Sequence, residues 1–233
     1  MSAKMASCIV AIASLLTTTL KAGIIMKVAV VAASGQTGTQ VIEQALKAGH
    51  EVIGLARTPE NIVSDDPRVT KRKADAFDAE SVIAGLEGAD AVITSVGKRD
   101  LLDKRYNLST AAHAAVMEGM RKHGIRRLIV VSSTGAARIK RTGIRRNIYL
   151  FLRRKYYADM YQMELQLMES GLDVSIIRAP YLVEGPFDGK YHTIEEEDYP
   201  LGVTITRPNL AHFLVEELER NEWVNRIVAV AAD

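Results

Sequence analysis

The stretch Lys27-Val28-Ala29-Val30-Val31-Ala32-Ala33-Ser34-Gly35-Gln36-Thr37-Gly38-Thr39 decides the fold. Its first part, Lys27–Ala32, is an apolar run rich in β-branched side chains, which predicts a β-strand. Farther on, Thr39–Lys47 carries apolar residues at the i, i+3, i+4 spacing of a helix. Small residues separate the two elements. The sequence therefore predicts a strand, a tight turn and a helix in direct succession.

The same alternation continues along the chain. Further strands are predicted at Glu51–Ala56, Val69–Lys73, Ala91–Val96, Arg127–Val131, Leu172–Ile177 and Ile227–Ala231, and helices at Asp78–Leu86 and Asn107–His123. Apolar strands separated by helices are typical of a parallel sheet covered on both faces. No internal repeat or linker interrupts this alternation, so we expect a single α/β domain over residues 26–233. Crossovers between parallel strands are right-handed, which favours a doubly wound sheet. This domain would be one doubly wound, Rossmann-type parallel sheet with helices on both faces.

The composition excludes several classes of protein. The 233 residues include 30 Lys+Arg and 28 Asp+Glu, a net charge of +2, with 48% hydrophobic and 25% charged residues. This is an ordinary globular mixture, not a disordered or low-complexity one. The near-neutral charge makes nucleic acid an unlikely general partner. The single cysteine, Cys8, excludes a disulfide framework and a cysteine-based metal site, so no metal is expected.

Residues 1–25 differ from the rest of the chain. They contain no acidic residue, two lysines and an apolar run, Cys8–Leu16, which is shorter than the roughly 20 apolar residues that span a bilayer. We therefore expect no transmembrane segment. The stretch is either a cleaved targeting segment or an upstream extension, with Met26 as the effective start. The predicted location is cytoplasmic, or organellar if the stretch is a targeting segment.

The turn after the first strand is a candidate phosphate loop. A dinucleotide site needs small residues here, so that the backbone approaches the pyrophosphate and the helix N terminus directs its free N–H groups at it. The candidate cofactor-binding residues are Ser34, Gly35, Gln36, Thr37 and Gly38. Ala32 stands where the G-x-x-G-x-x-G spacing has its first glycine. The alternative interpretation is a tight βα turn without a ligand.

Arg57, after the second predicted strand, discriminates between cofactors. An NAD site places Asp or Glu here to bind the ribose 2′-hydroxyl, whereas Gly54-Leu55-Ala56-Arg57-Thr58 contains no acid. A guanidinium offers paired donors to a 2′-phosphate. The sequence therefore favours NADP(H) over NAD(H), unless Arg57 is simply a solvated surface arginine.

Polar and small residues follow the other strands, and in open α/β sheets these ends line the ligand crevice. The remaining candidate cofactor-binding residues are Asp75, Ala76, Ser95, Val96, Gly97, Ser132, Ser133 and Pro180. Lys98 and Arg99 either meet an anionic group or form an ordinary basic turn. The hydroxyls of Ser132-Ser133-Thr134 either contact a substrate or belong to routine turn chemistry.

From Met26 onward the chain resembles an atypical short-chain dehydrogenase/reductase of the NAD(P)H-binding group that contains flavin reductase/biliverdin reductase B. The resemblance rests on six segments. They are Ala33-Ser34-Gly35-Gln36-Thr37-Gly38, Asp90-Ala91-Val92-Ile93, Ser170-Gly171-Leu172-Asp173, Ile177-Arg178-Ala179-Pro180, Gly185–Tyr191 and Ile205–Phe213. The resemblance implies a reductase in which the nicotinamide cofactor transfers the hydride. It also implies that the hydroxyl group of Thr134 contacts the substrate.

The family's usual active-site pair, Tyr-x-x-x-Lys, is only half present. The tyrosine position falls on Tyr156 and the lysine position on Met160. Without the ammonium group, a phenol with an ordinary pKa near 10 is a poor proton shuttle at pH 7. The candidate catalytic residues are therefore Thr134 and Tyr156, while Tyr156 and Tyr157 alternatively pack or stack against a planar ligand.

The region around Arg138–Lys155 is strongly basic and includes Tyr149 and Phe151. It either attracts a planar anion, binds a nucleic acid or anionic membrane, or is a solvated face balanced by Glu195–Asp198. The leading functional hypothesis is an NADPH-dependent reductase of a small planar, possibly anionic acceptor: a flavin, a quinone or a linear tetrapyrrole. The rival is a non-catalytic NADP(H)-sensing regulator or assembly protein. The oligomeric state is not indicated.

Overall fold

The computed structural model describes residues 24–97, 107–136, 153–195 and 202–232. The strands are β1 (Lys27–Val31), β2 (Glu51–Ala56), β3 (Val69–Lys73), β4 (Ala91–Thr94), β5 (Arg127–Ser133), β6 (Asp173–Ala179), β7 (Tyr181–Val183), β8 (Tyr191–Ile194), β9 (Thr204–Thr206) and β10 (Arg226–Ala232). The helices are α1 (Gln36–Lys47), α2 (Ala79–Gly85), α3 (Leu108–His123), α4 (Arg154–Met168) and α5 (Arg207–Arg220). Across these ranges, each helix is too short or too polar to span a bilayer.

Eight strands form the main sheet in the order β3-β2-β1-β4-β5-β6-β10-β8. Neighbouring strands are parallel except at one edge, where β8 runs antiparallel to β10. The chain leaves β1 toward β2 and β3, then returns to place β4 on the other side of β1. This confirms the doubly wound, Rossmann-type sheet. The carboxyl ends of β1 and β4 lie side by side at the point where the strand order reverses, which is where such sheets bind ligands.

The core lies in two layers because successive strand side chains point to opposite faces. Val28 and Val30 of β1 pack in the layer formed with α1 and α5. Ala29 and Val31 pack in the other layer, with α2, α3 and α4. The expected helices on both faces are therefore present.

Several element boundaries differ from the sequence predictions. β1 ends at Val31 because Ala32 has a left-handed backbone (φ 65°), and α1 begins already at Gln36, with Gly35 as its N-cap. β4 ends at Thr94, two residues earlier than expected. β3 is largely exposed, in contrast to the expectation of strands covered on both faces, because it forms a sheet edge.

Helices α4 and α5 and strands β7, β8 and β9 were not predicted from the sequence. In α4 the buried face includes the acidic residues Asp159 and Glu164, so the apolar helical pattern is interrupted. A local signal for α5 was present: the Thr206 hydroxyl accepts from the Asn209 N–H, and Pro208 stands in the first turn. The antiparallel strand β8 is a correction to the expectation of an all-parallel sheet.

A buried histidine lies beneath the carboxyl end of β4. Nε2 of His113, on α3, is 2.7 Å from the Thr94 hydroxyl, and its Nδ1 is 2.8 Å from the carbonyl oxygen of Ser109. The neutral tautomer that satisfies both partners donates from Nδ1 and accepts at Nε2. Burial lowers the pKa of His113 from 6.5 to about 4.

This histidine makes stability pH-dependent. Between pH 6.5 and 4 the unfolded chain binds a proton that folded His113 does not, so acidification favours unfolding. We expect the free energy of unfolding to fall by about 1 kcal/mol from this group between pH 6.5 and 5.5. Urea unfolding at the two pH values measures the change, and His113→Gln should lose this part of the pH dependence even if it is less stable overall. An unchanged pH dependence in the variant would contradict the assignment.

Candidate functional site

A cavity of about 660 Å³ opens at the carboxyl edge of the sheet. It lies where β4, β5 and β6 end, and α4 and the segments around β7 and β9 form its walls. The predicted site residues that line it are Thr37, Ser95, Val96, Gly97, Ser132, Ser133, Thr134, Tyr156 and Pro180. The structure therefore brings residues from five separate parts of the chain together at one cleft.

The other predicted residues lie along the same edge, outside this cavity. They follow β1, β2 and β3 and comprise Ser34, Gly35, Gln36, Gly38, Arg57, Asp75 and Ala76. Thr37, in the first turn of α1, lines the cavity and is flanked in sequence by Gln36 and Gly38, which do not. The first turn of α1 therefore lies at the border of the cavity.

The turn between β1 and α1 is closely packed. The Gly35 N–H donates to the carbonyl of Ala32 at 2.9 Å. A Cβ added at Gly38 would lie 2.3 Å from that same carbonyl oxygen and 2.9 Å from Cα of Ala33. Ala32 itself holds the left-handed conformation that glycine adopts more readily, at a cost of about 1 kcal/mol. The missing first glycine of the pattern therefore does not prevent the turn from forming.

Among the described residues, no side chain caps the N terminus of α1. Gly35 supplies no side chain, and the first turn contains no acidic residue. Three other helices have a capped N terminus. In α2 the Asp78 side chain accepts from the Ser81 N–H, and in α5 the Thr206 hydroxyl accepts from the Asn209 N–H. In α3 the Asp159 carboxylate accepts from the N–H groups of Ser109 and Thr110. The amides at the start of α1 thus remain available to an anionic ligand.

Arg57 lies at the carboxyl end of β2 and is exposed. Within the described ranges its guanidinium forms no hydrogen bond or ion pair. Asp75 has local partners instead: its carboxylate accepts from the Phe77 N–H at 3.1 Å, and its own N–H donates to the Ser81 hydroxyl at 3.0 Å. The carboxylate of Asp75 therefore shapes the turn after β3, and Ala76 is half-buried within that turn.

The three hydroxyl residues after β5 have different environments. The Ser132 hydroxyl is buried and donates to the Glu164 carboxylate at 2.6 Å. Glu164 also accepts from the buried Arg178 guanidinium, at 3.0 and 2.7 Å. Ser133 accepts from the Gly135 N–H at 3.1 Å. Ser132 thus links β5 to α4, while Ser133 and Thr134 are half-buried at the cleft.

Helix α4 forms the aromatic wall of the cleft. The rings of Tyr156 and Tyr157 lie with centroids 5.4 Å apart at an angle of 53°. Tyr157 packs so closely on Gly135 that an added Cβ there would lie 2.2 Å from its ring. Met160, at the family's lysine position, is buried and lines the cavity.

Two buried carboxylates fix α4 in place. Asp159 accepts from the N–H groups of Ser109 and Thr110 at 2.7 and 3.2 Å, and from the Thr110 hydroxyl at 2.7 Å. Glu164 binds Ser132 of β5 and Arg178 of β6. The tyrosines are therefore carried by a helix joined both to α3 and to the strands that end at the cleft.

Sequence reasoning missed the far wall of the cleft, formed by Tyr181, Leu182, Gly202 and Val203. Lys98, Arg99, most of the basic segment 138–155 and most of Glu195–Asp198 lie outside the described residues. In the ranges that the structure describes, no three His, Cys, Asp or Glu side chains come close enough to hold a metal ion.

The close contact at Gly38 yields a test. Gly38→Ala places its Cβ against the Ala32 backbone, which cannot move aside as a flexible side chain could. We expect the free energy of unfolding to fall by about 2 kcal/mol, the usual range for overpacking. Chemical denaturation measures it, with Gln40→Ala on the same helix as the control. Equal stability of the two variants would contradict the packing described.

Comparisons with known proteins agree with this geometry. Residues 32–221 match the NAD(P)H-binding family. A chloroplastic protein of Arabidopsis thaliana is 28% identical over 215 residues, which cover 88% of this chain and 76% of that protein.

Two solved structures share the fold. One is a short-chain dehydrogenase/reductase of Veillonella parvula in complex with NADP, with a TM-score of 0.75 at 18% identity, covering 88% of this chain and 94% of that one. The other, described as an NADH-flavin reductase, comes from Streptococcus pneumoniae. It has a TM-score of 0.70 at 21% identity and covers 89% of this chain and 100% of that one. The chain therefore belongs to the NAD(P)H-binding family and shares its Rossmann-type fold with these two solved structures.

Proposed function

We propose that the protein is an NADPH-dependent reductase of a small planar acceptor: a flavin, a quinone or a linear tetrapyrrole. The observation that carries the proposal is the uncapped N terminus of α1 opening into a cleft whose other wall is aromatic. The first feature suits a dinucleotide and the second a flat acceptor. The Streptococcus relative described as an NADH-flavin reductase supports the same class of reaction.

The residues present fit the nicotinamide dinucleotide. The turn suits a pyrophosphate because Gly35 and Gly38, whose Cβ atoms would crowd the Ala32 carbonyl oxygen, let α1 begin directly at the end of β1. The uncapped amides of Gln36 and Thr37 would bind the phosphates, with Ser34 beside them. Asp75 and Ala76 would flank the adenosine half. Ser95, Val96, Gly97, Ser133 and Pro180, with the backbone of Ser132, would border the nicotinamide half.

Arg57 supports NADPH in preference to NADH. Its exposed guanidinium stands where an NAD site has a carboxylate, and it forms no ion pair within the described chain. A fork of N–H donors suits the 2′-phosphate, whereas a carboxylate would repel it. The Veillonella relative was solved with NADP.

When bound, NADPH supplies a hydride, and the acceptor takes up one further proton for the reaction to balance. The protein's own contribution is to hold the acceptor flat in the cleft. Thr134 and Tyr156 would offer hydroxyl contacts to the acceptor carbonyl or ring edge. Because Met160 stands at the lysine position, the family's acid–base pair is incomplete, and Tyr156 is not assigned the family's proton-shuttle role. Its proposed role is therefore to donate a hydrogen bond, with the proton coming finally from solvent.

The proposed catalytic domain comprises residues 26–233, preceded by an extension or targeting segment at residues 1–25. The chloroplastic Arabidopsis relative favours the targeting alternative and hence an organellar location over a cytoplasmic one.

A second candidate function is a non-catalytic NADP(H) sensor or assembly protein. Met160 at the lysine position is the observation that favours it, since a sensor needs the cofactor site but no proton shuttle. Turnover separates the two functions: tight NADPH binding without NADPH oxidation across flavin, quinone and biliverdin acceptors would favour the sensor.

Arg57→Ala tests the cofactor preference. Loss of a charge-assisted contact to the 2′-phosphate should raise the NADPH dissociation constant about tenfold and leave that of NADH nearly unchanged. Isothermal titration measures both. Lys122→Ala removes an exposed cation at the carboxyl end of α3, on the opposite edge of the sheet, and serves as the control. Equal losses for NADPH and NADH would contradict the role of Arg57.

Tyr156→Phe tests the role of the cleft hydroxyl. The substitution keeps the ring and removes only the hydroxyl group. We expect kcat for NADPH oxidation with the best acceptor to fall about tenfold, with NADPH affinity unchanged. Tyr161→Phe, on the same helix but outside the cavity lining, is the matched control and should retain kcat. An unchanged kcat in Tyr156→Phe would assign Tyr156 to packing alone.

A further inference from the structure

The far wall of the cleft has little support of its own. It is formed by Tyr181 and Leu182 of β7 together with Gly202 and Val203, which precede β9. The strands β7 and β9 pair with each other as a separate two-stranded sheet, with three residues in each strand. Because an isolated pair of short strands is only marginally stable, other contacts are needed to fix the position of this wall.

These contacts come from the start of α5, which follows β9 directly. Residues 184–190, which follow β7, lie against this helix start and are called here the tethered segment. The Thr206 hydroxyl donates to the carbonyl oxygen of Pro186 at 3.3 Å. A Cβ added at Gly185 would lie 2.8 Å from Cγ2 of Thr206. The backbone of the tethered segment is therefore held closely against α5.

Asn209, in the first turn of α5, makes the central contacts, and it is only 1% exposed. Its amide oxygen accepts from the N–H groups of Asp188 and Gly189, both at 3.2 Å. Its amide nitrogen donates to the Asp188 carboxylate at 2.7 Å. The helix does not need this side chain as a cap, because the Thr206 hydroxyl already caps it. The three hydrogen bonds that the Asn209 side chain forms with described residues all go to the tethered segment.

The Asp188 carboxyl group is ionised in this arrangement. The hydrogen bond from the Asn209 amide lowers the pKa of Asp188, and so does the hydrogen bond from the Lys190 N–H at 3.0 Å. The Asn209 amide therefore donates to a charged acceptor, which is a stronger contact than one between neutral groups. No residue of the tethered segment lines the cavity. Asn209 can therefore act on the cleft only through the position of β7.

Building on the proposed reductase function, we propose that Asn209 is a positioning residue for the acceptor. Its hydrogen bonds to Asp188 and Gly189 hold the tethered segment on α5, and the tethered segment holds β7 and Tyr181 in place at the cleft. Loss of these bonds lets β7 shift and weakens acceptor binding. Cofactor binding is unaffected, because the proposed phosphate-binding turn and Arg57 follow β1 and β2, away from β7.

Asn209→Asp tests the proposal because it changes one hydrogen bond and keeps the size of the side chain. The new carboxylate would still accept from the two N–H groups of the tethered segment. It would also face the Asp188 carboxylate, and the two negative charges repel each other. When two carboxyl groups share one site, the pKa of one of them is raised. A single proton, taken up as the pH falls, therefore restores the missing hydrogen bond.

Steady-state NADPH oxidation by the full-length protein, with FMN and with menadione as acceptors, measures the effect. At about pH 8 we expect the acceptor KM of Asn209→Asp to rise about tenfold, with kcat within about twofold of wild type. The rise should disappear by about pH 5. In Asn209→Ala, which cannot share a proton with Asp188, the acceptor KM should stay raised throughout. The NADP⁺ dissociation constant should be unchanged in both variants.

Two controls accompany these variants. Asn221→Asp makes the same chemical change at the exposed carboxyl end of α5 and should keep the wild-type KM at every pH. The wild-type pH profile accounts for the other titratable or charged groups at the tethered segment, which are Glu184, Lys190, Arg207 and His212.

Hydrogen–deuterium exchange gives a readout that does not depend on turnover. In Asn209→Ala the amides of Tyr181–Val183 should exchange faster, together with those of the tethered segment, whereas α4 should keep its wild-type exchange rates. If Asn209→Ala does not fold, Asn209→Asp at about pH 8 takes its place in this measurement.

Faster exchange confined to the tethered segment would overturn the proposal, as would an unchanged acceptor KM in both Asn209 variants. A raised KM in Asn209→Asp that acid does not reverse would also overturn it. A wild-type protein that binds NADP⁺ but reduces neither acceptor would contradict the reductase function instead. The exchange experiment would then still decide whether Asn209 fixes the wall.

Discussion

The structure depends on the contact between the first turn of α1 and the end of β1. Gly38 lies against the carbonyl of Ala32, so the helix begins directly at the strand end and its first amides face the sheet edge. Because β4 returns to pair with β1, the same contact places these amides beside the carboxyl ends of β4 and β5. The proposed phosphate-binding turn and the proposed acceptor cleft thus lie at one edge of the sheet as a consequence of one tight turn.

Buried acids have a structural role beside this cleft. Asp159 caps α3 and Glu164 pairs with Arg178, so both carboxylates fix α4 to its neighbours. Removing one partner of such a buried pair leaves an uncompensated charge, which is why these groups hold the helix firmly. The described cleft lining itself contains no aspartate or glutamate.

Much of the fold followed from local patterns. The strand at Lys27–Ala32, one residue longer than β1, and the bounds of β2 could be predicted because apolar strands bounded by turn residues have a distinctive composition. The edge strand β8 and helix α4 could not be predicted in this way. Their pattern of buried and exposed residues depends on tertiary contacts rather than on a local periodicity. At the candidate site, Ser95, Thr134 and Pro180 were identified because they follow predicted strands, and all three line the cavity. Tyr181, on the far wall, lies in a segment where no sequence pattern indicated a site residue. Ser132 was also identified from its position, but its hydroxyl proved to bind Glu164, a partner 32 residues away in sequence.

Backbone amide NMR during a titration with NADP⁺ tests the central claim most directly. If the α1 N terminus binds the pyrophosphate, the amides of Gln36 and Thr37 should show the largest downfield shifts, because they would gain an anionic acceptor that no side chain in the described ranges supplies. Saturable binding with those amides unshifted, and the changes confined to another part of the protein, would contradict the account.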